Sequence, residues 1–517
     1  MPNISRQFFT AAKHDKTAIV CDGDALSFSV LAERVAKISR GLAEEGVRPG
    51  DAIALMGSNS IDYVAIMLAA ADLGAVLVPL SGALPTHAAR RAIETSDAKH
   101  LIASAERLSS LRADDTKVSG VTLALGDDTD SLNALVRAAP NSAAPSFWGR
   151  TDDPYILTMT SGSTGAPKPI ILTQRSKLER AGAAVRLYDI TSEDKILAAT
   201  PLYHSLAERL ALIPMLIGAQ SILMSRYSPD LWIECVDTHE ASFTIAVASQ
   251  LSAVAKRLEA QGQSSQRCLS LRCVVSSSAP LSHDAKTRVL SALPGELHEC
   301  YGASEIAIAT SLNLTKPDAP IGSVGRPAPG VDIRILSDDG AELPIGETGE
   351  ITCRTPMLFG GYYGRDDLTE AALQDEFFKT GDLGRLDETG ALFYQGRKKD
   401  VIITGGVNVY PADVETAIQS LPGVDKCAAF AWPDERLGEA VAIAIVASDA
   451  KLSARAVRSW CATRLADFQQ PQRIVFTDVL PVNTMGKLVR NELYETLSNP
   501  DQATSEDKIG AGDQRAA

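Results

Sequence analysis

Short apolar strands alternate with helical patterns over the first three hundred residues, and this alternation limits the chain more than any other feature. Ser27 to Glu45 carries Leu31, Val35, Ile38 and Leu42 at spacings of three and four, the signature of one buried helix face. The turn chemistry of Gly46-Val47-Arg48-Pro49-Gly50-Asp51 follows, and Ala52 to Met56 then reads as a short buried strand. Val64 to Ala71 is expected to be helix and Ala75 to Val78 strand. Strand and helix in alternation point to crossover units around a mainly parallel sheet. The pattern recurs to about residue 310.

After Pro317 the texture changes. Glycines and turn pairs crowd together (Gly322, Gly325, Gly330, Asp339-Gly340, Gly346, Gly349, Gly360-Gly361), and strands such as Val331 to Leu336 are short. This predicts an antiparallel, barrel-like part. From about Lys398 onward, strands at Val401–Ile403, Ala428–Ala431 and Val441–Val446 alternate with helices at Pro411–Leu421 and Ala454–Arg464. The expected fold is α/β. It has a large N-terminal domain of α/β subdomains plus a small β-barrel-like part, and a small α+β C-terminal domain. The last twenty residues lack apolar periodicity and are expected to form a disordered tail.

Composition excludes several functions. The 517 residues include 50 Lys+Arg and 64 Asp+Glu, for a net charge of −14, so no excess positive field favours nucleic acid. The longest apolar run, Val64 to Leu80, is interrupted by Asp72 and is too short for the ~20 residues of a membrane span. A buried helix followed by a strand is expected there. No secretory signal is visible in MPNISRQFFTAAKHDK. The eight cysteines are scattered with no C-x-x-C pair, which indicates reduced thiols and a cytoplasmic protein rather than a zinc site or a disulfide framework.

Five segments carry chemistry. In the first, a strand from Tyr155 feeds Thr160-Ser161-Gly162-Ser163-Thr164-Gly165-Ala166-Pro167-Lys168. Glycines let the backbone approach an anion, hydroxyls add donors and Lys168 adds charge, a combination suited to a polyphosphate. It is not a Walker A loop, because position 167 is Pro. Glu305 follows Tyr301-Gly302-Ala303-Ser304. His298-Glu299 lacks the second His of a zinc-protease motif. Asp382 stands in Thr380-Gly381-Asp382, where a carboxylate after a Gly turn suits ribose hydroxyls. Arg397-Lys398-Lys399-Asp400 precedes an apolar strand, and Lys487 closes Pro481-Val482-Asn483-Thr484-Met485-Gly486-Lys487.

In order and spacing these segments resemble the adenylate-forming superfamily of acyl-CoA synthetases, adenylation domains and luciferases, over about residues 10 to 495. The family's phosphate loop T-S-G-[ST]-T-G-x-P-K-G is matched from Thr160 to Lys168, with Pro169 in place of the last Gly. Tyr301 to Glu305 resembles Y-G-x-T-E, with Ser304 for Thr. Thr380 to Asp382 matches T-G-D, and Gly396 to Asp400 matches the hinge. Ser276-Ser277-Ser278-Ala279-Pro280-Leu281 resembles S-G-G-A-P-L with Ser at both glycine positions.

The resemblance implies a two-step reaction. A carboxylate and ATP give acyl-AMP and pyrophosphate, and coenzyme A then displaces AMP to give acyl-CoA. A free-standing acyl carrier protein is the alternative acceptor. Implied catalytic residues are Lys487, Thr164, Glu305 and His204, the last as the gate of the acyl pocket in Thr200-Pro201-Leu202-Tyr203-His204-Ser205. Implied nucleotide and cofactor contacts are Thr160, Ser161, Gly162, Ser163, Thr164, Gly165, Lys168, Ser278, Tyr301, Gly302, Ala303, Ser304, Asp382 and Arg397. Lys399, Gly405 and Gly406 belong to the hinge and the coenzyme A passage, and Glu305 holds Mg²⁺. The implied domains are residues 1–396, a hinge at 397–400, a mobile lid at 401–497 and a tail at 498–517.

No insertion of the kind usual in ligases that load carrier proteins precedes Thr380, so the resemblance favours coenzyme A and keeps a free carrier protein second. A monomer or homodimer is expected. The small apolar residues of the implied pocket (Leu206, Ala207, Ala248, Ala303, Ala307) suggest an uncharged aliphatic or aromatic acid. For Arg209 two readings stand: a solvated or structurally paired arginine, which is favoured, and a pair with a second carboxylate of the substrate. Two other readings remain, a catalytically silent binding protein and a luciferase-type oxygenase. The joint presence of Glu305, Asp382, Arg397 and Lys487 speaks against the silent protein.

Overall fold

The computed structural model describes residues 3–126, 131–140, 143–160, 168–320, 322–482, 488–497 and 505–508. The chain divides into two compact units. One comprises residues 1–319, 327–332 and 353–378, and the other 320–326, 333–352 and 379–517. The segment 397–400 lies within the second.

The first unit holds two sheets. In one, the strands run in the order Thr122–Leu125, His100–Ser104, Ala52–Met56, Val76–Leu80, Pro154–Thr160 and Lys168–Thr173. All neighbours are parallel except the last pair, an antiparallel hairpin. The other sheet places Glu296–Ala303, Cys273–Ser277, Phe243–Val247, Lys195–Ala198, Gln220–Leu223 and Thr17–Cys21 side by side and parallel. Ala307–Asn313 closes a hairpin on Glu296–Ala303. The expected crossover architecture is what the chain forms.

Local chemistry sets the element ends. Ser27 accepts a hydrogen bond from the Val30 N–H and starts the helix Phe28–Glu44. Ser60 does the same for Ile61–Leu73, and Gly74 ends that helix at φ 70°. From Tyr63 to Leu73 every residue of this helix is buried, as a helix apolar all round requires. The one carboxylate of this buried stretch, Asp72, is fully buried and satisfied. Asp72 accepts from the Ser5 hydroxyl at 2.6 Å and from the backbone N–H groups of Ser146 and Phe147 at 2.7 and 2.9 Å.

In the second unit, Ile402–Thr404, Gly438–Ala447 and Arg473–Phe476 form a sheet in which Val424–Asp434 pairs with Gly438–Ala447 over their whole length. The helices Pro411–Gln419 and Ala454–Cys461 pack on it through Val414, Ile418 and Val457. Ser505–Lys508, expected within a disordered tail, pairs antiparallel with Arg473–Phe476. An edge strand's open N–H and C=O groups accept such a partner. The other tail residues lie outside the described residues. Most of a further sheet, with strands Asp332–Leu336, Gly349–Arg354, Phe377–Leu386 and Leu392–Arg397, the last two antiparallel, also belongs to this unit. Among the described residues no helix is long and apolar enough to cross a membrane.

Replacing Asp72 by Leu strands three donors in an apolar setting, each costing about 1–3 kcal/mol. Asp72→Leu is expected to destabilise the first unit by about 3 kcal/mol or more, read as a lower urea midpoint. An unchanged midpoint contradicts the assigned role.

Candidate active site

The strands Pro154–Thr160 and Lys168–Thr173 pair so that Thr160 stands opposite Lys168. This register fixes both ends of the Ser- and Gly-rich loop. Ser161, Gly162, Ser163, Thr164 and Gly165 lie outside the described residues, as does Lys487.

The second hairpin strand is bonded on its far side to the segment 359–363. Gly360 N–H donates to the Ile171 carbonyl at 2.7 Å, Ile171 N–H to Gly361 at 2.9 Å, and Tyr363 N–H to Pro169 at 2.9 Å. This carries Tyr362 to Glu305, whose carboxylate accepts the phenol hydrogen at 3.2 Å. Burial and the neighbouring carboxylate push the Tyr362 phenol up, so it stays protonated as a donor. Glu305 is thereby tied to the strand that begins at Lys168.

Tyr301, Gly302 and Ala303 end the strand Glu296–Ala303, and Ser304 and Glu305 follow in the turn to Ala307. The turn is tight. A Cβ on Gly302 would lie 1.8 Å from the Ala307 carbonyl oxygen, so only glycine fits there. Ser278 follows the end of the neighbouring strand Cys273–Ser277 at φ 74°, the left-handed region where the family's glycine is at ease.

His204 caps the helix Ser205–Ile217 and contacts Tyr203 at 4.3 Å between ring centroids. Its Nε2 is buried with no hydrogen-bond partner, and burial lowers the ring pKa to about 4, so the imidazole is neutral at physiological pH. Asn59, absent from the sequence-based expectations, holds the preceding segment. Its amide donates to the Thr200 and Met224 carbonyls at 3.0 and 2.9 Å and accepts from the Leu202 N–H at 2.7 Å.

Beside this segment lies a buried charge cluster. The helix Gln174–Leu187 presents Lys177 and Arg180, both almost fully buried. Lys177 Nζ is 2.5 Å from Glu208 Oε1. Arg180 donates from Nε to the Met357 carbonyl and from Nη2 to the Glu305 carbonyl, each at 2.9 Å. Burial lowers the pKa of both cations. Arg209 is 8% exposed, and its Nε has no hydrogen-bond partner. Of the two expectations for Arg209, solvated or structurally paired, burial overturns the solvated one. The helix turns it inward, and the carboxylate next to it in sequence is engaged by Lys177. Sequence reasoning missed Lys177 and Arg180 because charged helix residues ordinarily face water. Their spacing of three on one face was the available signal.

In the second unit, Asp382 and Arg397 face each other on paired strands, and Arg397 Nε is 3.1 Å from Asp382 Oδ1. Thr380 supports the turn. Its hydroxyl donates to the Ile351 carbonyl at 2.6 Å and accepts from the Asp382 N–H at 3.1 Å, with Gly381 at φ 68° between them. Lys398 to Asp400 forms one 3₁₀ turn. Lys398 pairs with Asp338 and Glu350 at 2.8 and 3.1 Å, while Asp400 pairs with Arg490, which also grips Glu415. The exposed Lys399 lies between these two anchors. Gly405 and Gly406, at φ 57° and 82°, form the two-residue turn joining Ile402–Thr404 to Val407–Val409. A hairpin turn of that type needs positive φ at both positions.

Residues 7–363 match the AMP-binding enzyme family, and 413–487 its C-terminal domain. The chain belongs to this adenylate-forming family, in its acyl-CoA ligase branch. It is 32% identical over 480 residues to a feruloyl-CoA synthase of an Amycolatopsis species, covering 92% of this chain and 95% of that protein. It is 29% identical over 490 residues to an indoleacetate–CoA ligase of Aromatoleum aromaticum, covering 93% and 95%. ATP-bound MatB from Rhodopseudomonas palustris has the same fold, with a TM-score of 0.88 and 29% identity over 96% of this chain and 99% of that one.

Ser278→Gly is expected to relieve backbone strain and raise stability by about 1 kcal/mol, read from the thermal midpoint. A fall instead would show that the serine hydroxyl's contacts outweigh the strain.

Proposed function

We propose that the chain joins a carboxylic acid to coenzyme A in two steps, forming acyl-AMP and pyrophosphate from ATP and then releasing AMP as the thiol takes the acyl group. The observation that carries this reading is the hairpin register pairing Thr160 with Lys168, with Glu305 tied to the same strand through Tyr362. It brings the two ends of a phosphate-type loop and a carboxylate to one strand pair.

In the first step, Ser161 to Gly165 and Lys168 cradle the ATP phosphates through N–H and hydroxyl donors. Asp382 accepts from the ribose hydroxyls, and Arg397 reaches the nucleotide. Tyr301 to Ser304 and Ser278 border the adenine and the acyl carbon. Lys487 bridges the attacking carboxylate and the α-phosphate, offsetting the repulsion of two anions; alignment of this kind is a large part of such catalysis. His204, neutral and buried, shapes the acyl entrance without adding charge.

Glu305 fits Mg²⁺. One of its carboxylate oxygens is engaged by Tyr362, and among the described residues there is no cluster of three ligating side chains. Mg²⁺ is ordinarily held by one or two carboxylates with water and phosphate oxygens. When bound it supplies charge neutralisation on the phosphates.

In the second step, residues 401–497 turn about the hinge 397–400 as a lid. Lys399 is the pivot, because its neighbours are anchored on either side. Gly405 and Gly406 then border the pantetheine passage. Coenzyme A is the favoured acceptor over a free carrier protein. The eight free thiols suit a reducing cytoplasm.

Acid-dependent AMP release across a panel of carboxylic acids, with and without coenzyme A, tests this reading. Stimulation by coenzyme A is expected, and release indifferent to it throughout the panel contradicts the ligase reading. Lys487→Ala is expected to slow acyl-AMP formation about 100-fold or more. Lys399→Pro is expected to slow thioester formation while sparing adenylation, measured by single-turnover kinetics of each half-reaction. Equal loss in both halves would contradict the pivot.

A further inference from the structure

Arg490 follows Lys487 by three residues and ends the segment that carries it. Lys487 itself lies outside the described residues, but the chain on both sides of 483–487 is described and paired. Val482 bridges Leu488 in antiparallel register, and the Val489 N–H donates to the Pro481 carbonyl at 2.9 Å. Residues 483–487 thus start and finish at one paired base.

Directly after this base, the Arg490 guanidinium fastens it to three other elements of the second unit. Nη2 donates to Glu415 Oε2 at 3.0 Å and Nη1 donates to Glu415 Oε1, a bidentate grip on the helix Pro411–Gln419. Nη1 also donates to the Ala429 carbonyl at 2.8 Å, in the strand Val424–Asp434. Nε lies 3.5 Å from Asp400 Oδ2, in the 3₁₀ turn Lys398–Asp400. The Ala429 N–H donates in turn to Glu415 Oε1 at 2.8 Å, so Arg490, Glu415 and Ala429 close a ring. The side chains of Arg490, Asp400 and Glu415 keep only 20–22% exposure. A bidentate pair at that burial is worth more than an exposed one, and it fixes direction as well as distance.

Direction matters here because a base paired through its backbone can still tilt. Three residues span at most about 10 Å, so a tilt of about 6° at Arg490 displaces residue 487 by about 1 Å. A misplacement of about 1 Å can cost a reaction about 100-fold. Asp400 follows Lys399, the proposed pivot, and so travels with residues 401–497 when they turn. Its pair with Arg490 joins the moving end of the hinge to the segment of Lys487.

We infer that Arg490 is a positioning residue for Lys487. By clamping Asp400 and Glu415 it makes the moving end of the hinge and the lysine's segment one rigid piece, so that the turn at Lys399 sets where the lysine stands. The inference rests on the two-step ligase reading, and it gives the clamp a part in acyl-AMP formation and not in the transfer to coenzyme A.

The test uses the full chain with ATP, magnesium and whichever of octanoate, ferulate, indoleacetate and succinate supports the fastest wild-type exchange of labelled pyrophosphate into ATP. That exchange reports acyl-AMP formation. Transfer is measured apart from it, from chemically made acyl-AMP of the same acid and coenzyme A. Arg490→Met is expected to slow exchange about 30-fold and transfer by less than about threefold, with Arg490→Lys recovering part of the exchange. Asp400→Asn is expected to slow exchange about fivefold. Added to Lys487→Ala, Arg490→Met is expected to change exchange by less than about twofold, because an absent lysine cannot be misplaced.

Equal slowing of both halves by Arg490→Met would overturn the inference. So would a further loss of about tenfold when it is added to Lys487→Ala, since a merely structural arginine predicts both results. If Arg490→Met does not fold, Asp400→Asn and its combination with Lys487→Ala decide by the same two criteria. These outcomes leave the ligase reading standing. Wild-type exchange that ignores the acid removes that reading, and this inference with it.

Discussion

The candidate residues of the first unit depend on one fully buried guanidinium, Arg180. It takes the Glu305 carbonyl with one nitrogen and the Met357 carbonyl with another, each at 2.9 Å. It thereby joins the helix Gln174–Leu187, the turn that carries Glu305 and the segment leading to Tyr362. Tyr362 closes the circuit through the Glu305 carboxylate. A buried cation held by carbonyls is directional, because its donors have fixed geometry and no water competes for them. The carboxylate proposed to face magnesium is thus set by a frame of main-chain acceptors.

The net charge of −14 says little about this chemistry. What matters is where single charges are placed against the average. In the first unit, three cations are buried around the end of the helix that His204 caps. In the second, Asp382 is almost wholly buried beside Arg397. Ion pairs of Lys398 and Asp400 bracket Lys399, leaving one exposed residue between two fixed ones. The buried charges among these are little screened by salt, whereas the Lys398–Asp338 pair is exposed.

Much of the fold was legible in the sequence, because hydrophobic period and turn chemistry report directly on backbone geometry. The helix Phe28–Glu44, the strand Ala52–Met56 and the buried helix Ile61–Leu73 were legible for that reason, and so was the change of texture after Pro317. The candidate site was legible only as ordered motifs. Its supporting residues were hidden. Asn59, Lys177, Arg180 and Tyr362 belong to no local pattern, and their roles arise from contacts between segments far apart in sequence. Arg209 was noticed, with burial as one of two expectations for it. Its burial depends on which way the helix Ser205–Ile217 faces. Gly405-Gly406 was assigned to the thiol passage, while the structure adds a second reason for both glycines, the backbone conformation of a hairpin turn.

The central claim is that this chain activates a carboxylic acid as its adenylate before any thiol takes part. Exchange of labelled pyrophosphate into ATP, measured without coenzyme A across mono- and dicarboxylic acids, addresses that step alone. The account predicts exchange that needs an acid and proceeds in the absence of coenzyme A. Exchange that ignores the acid, or thioester formation from an acid that supports no exchange, would contradict it.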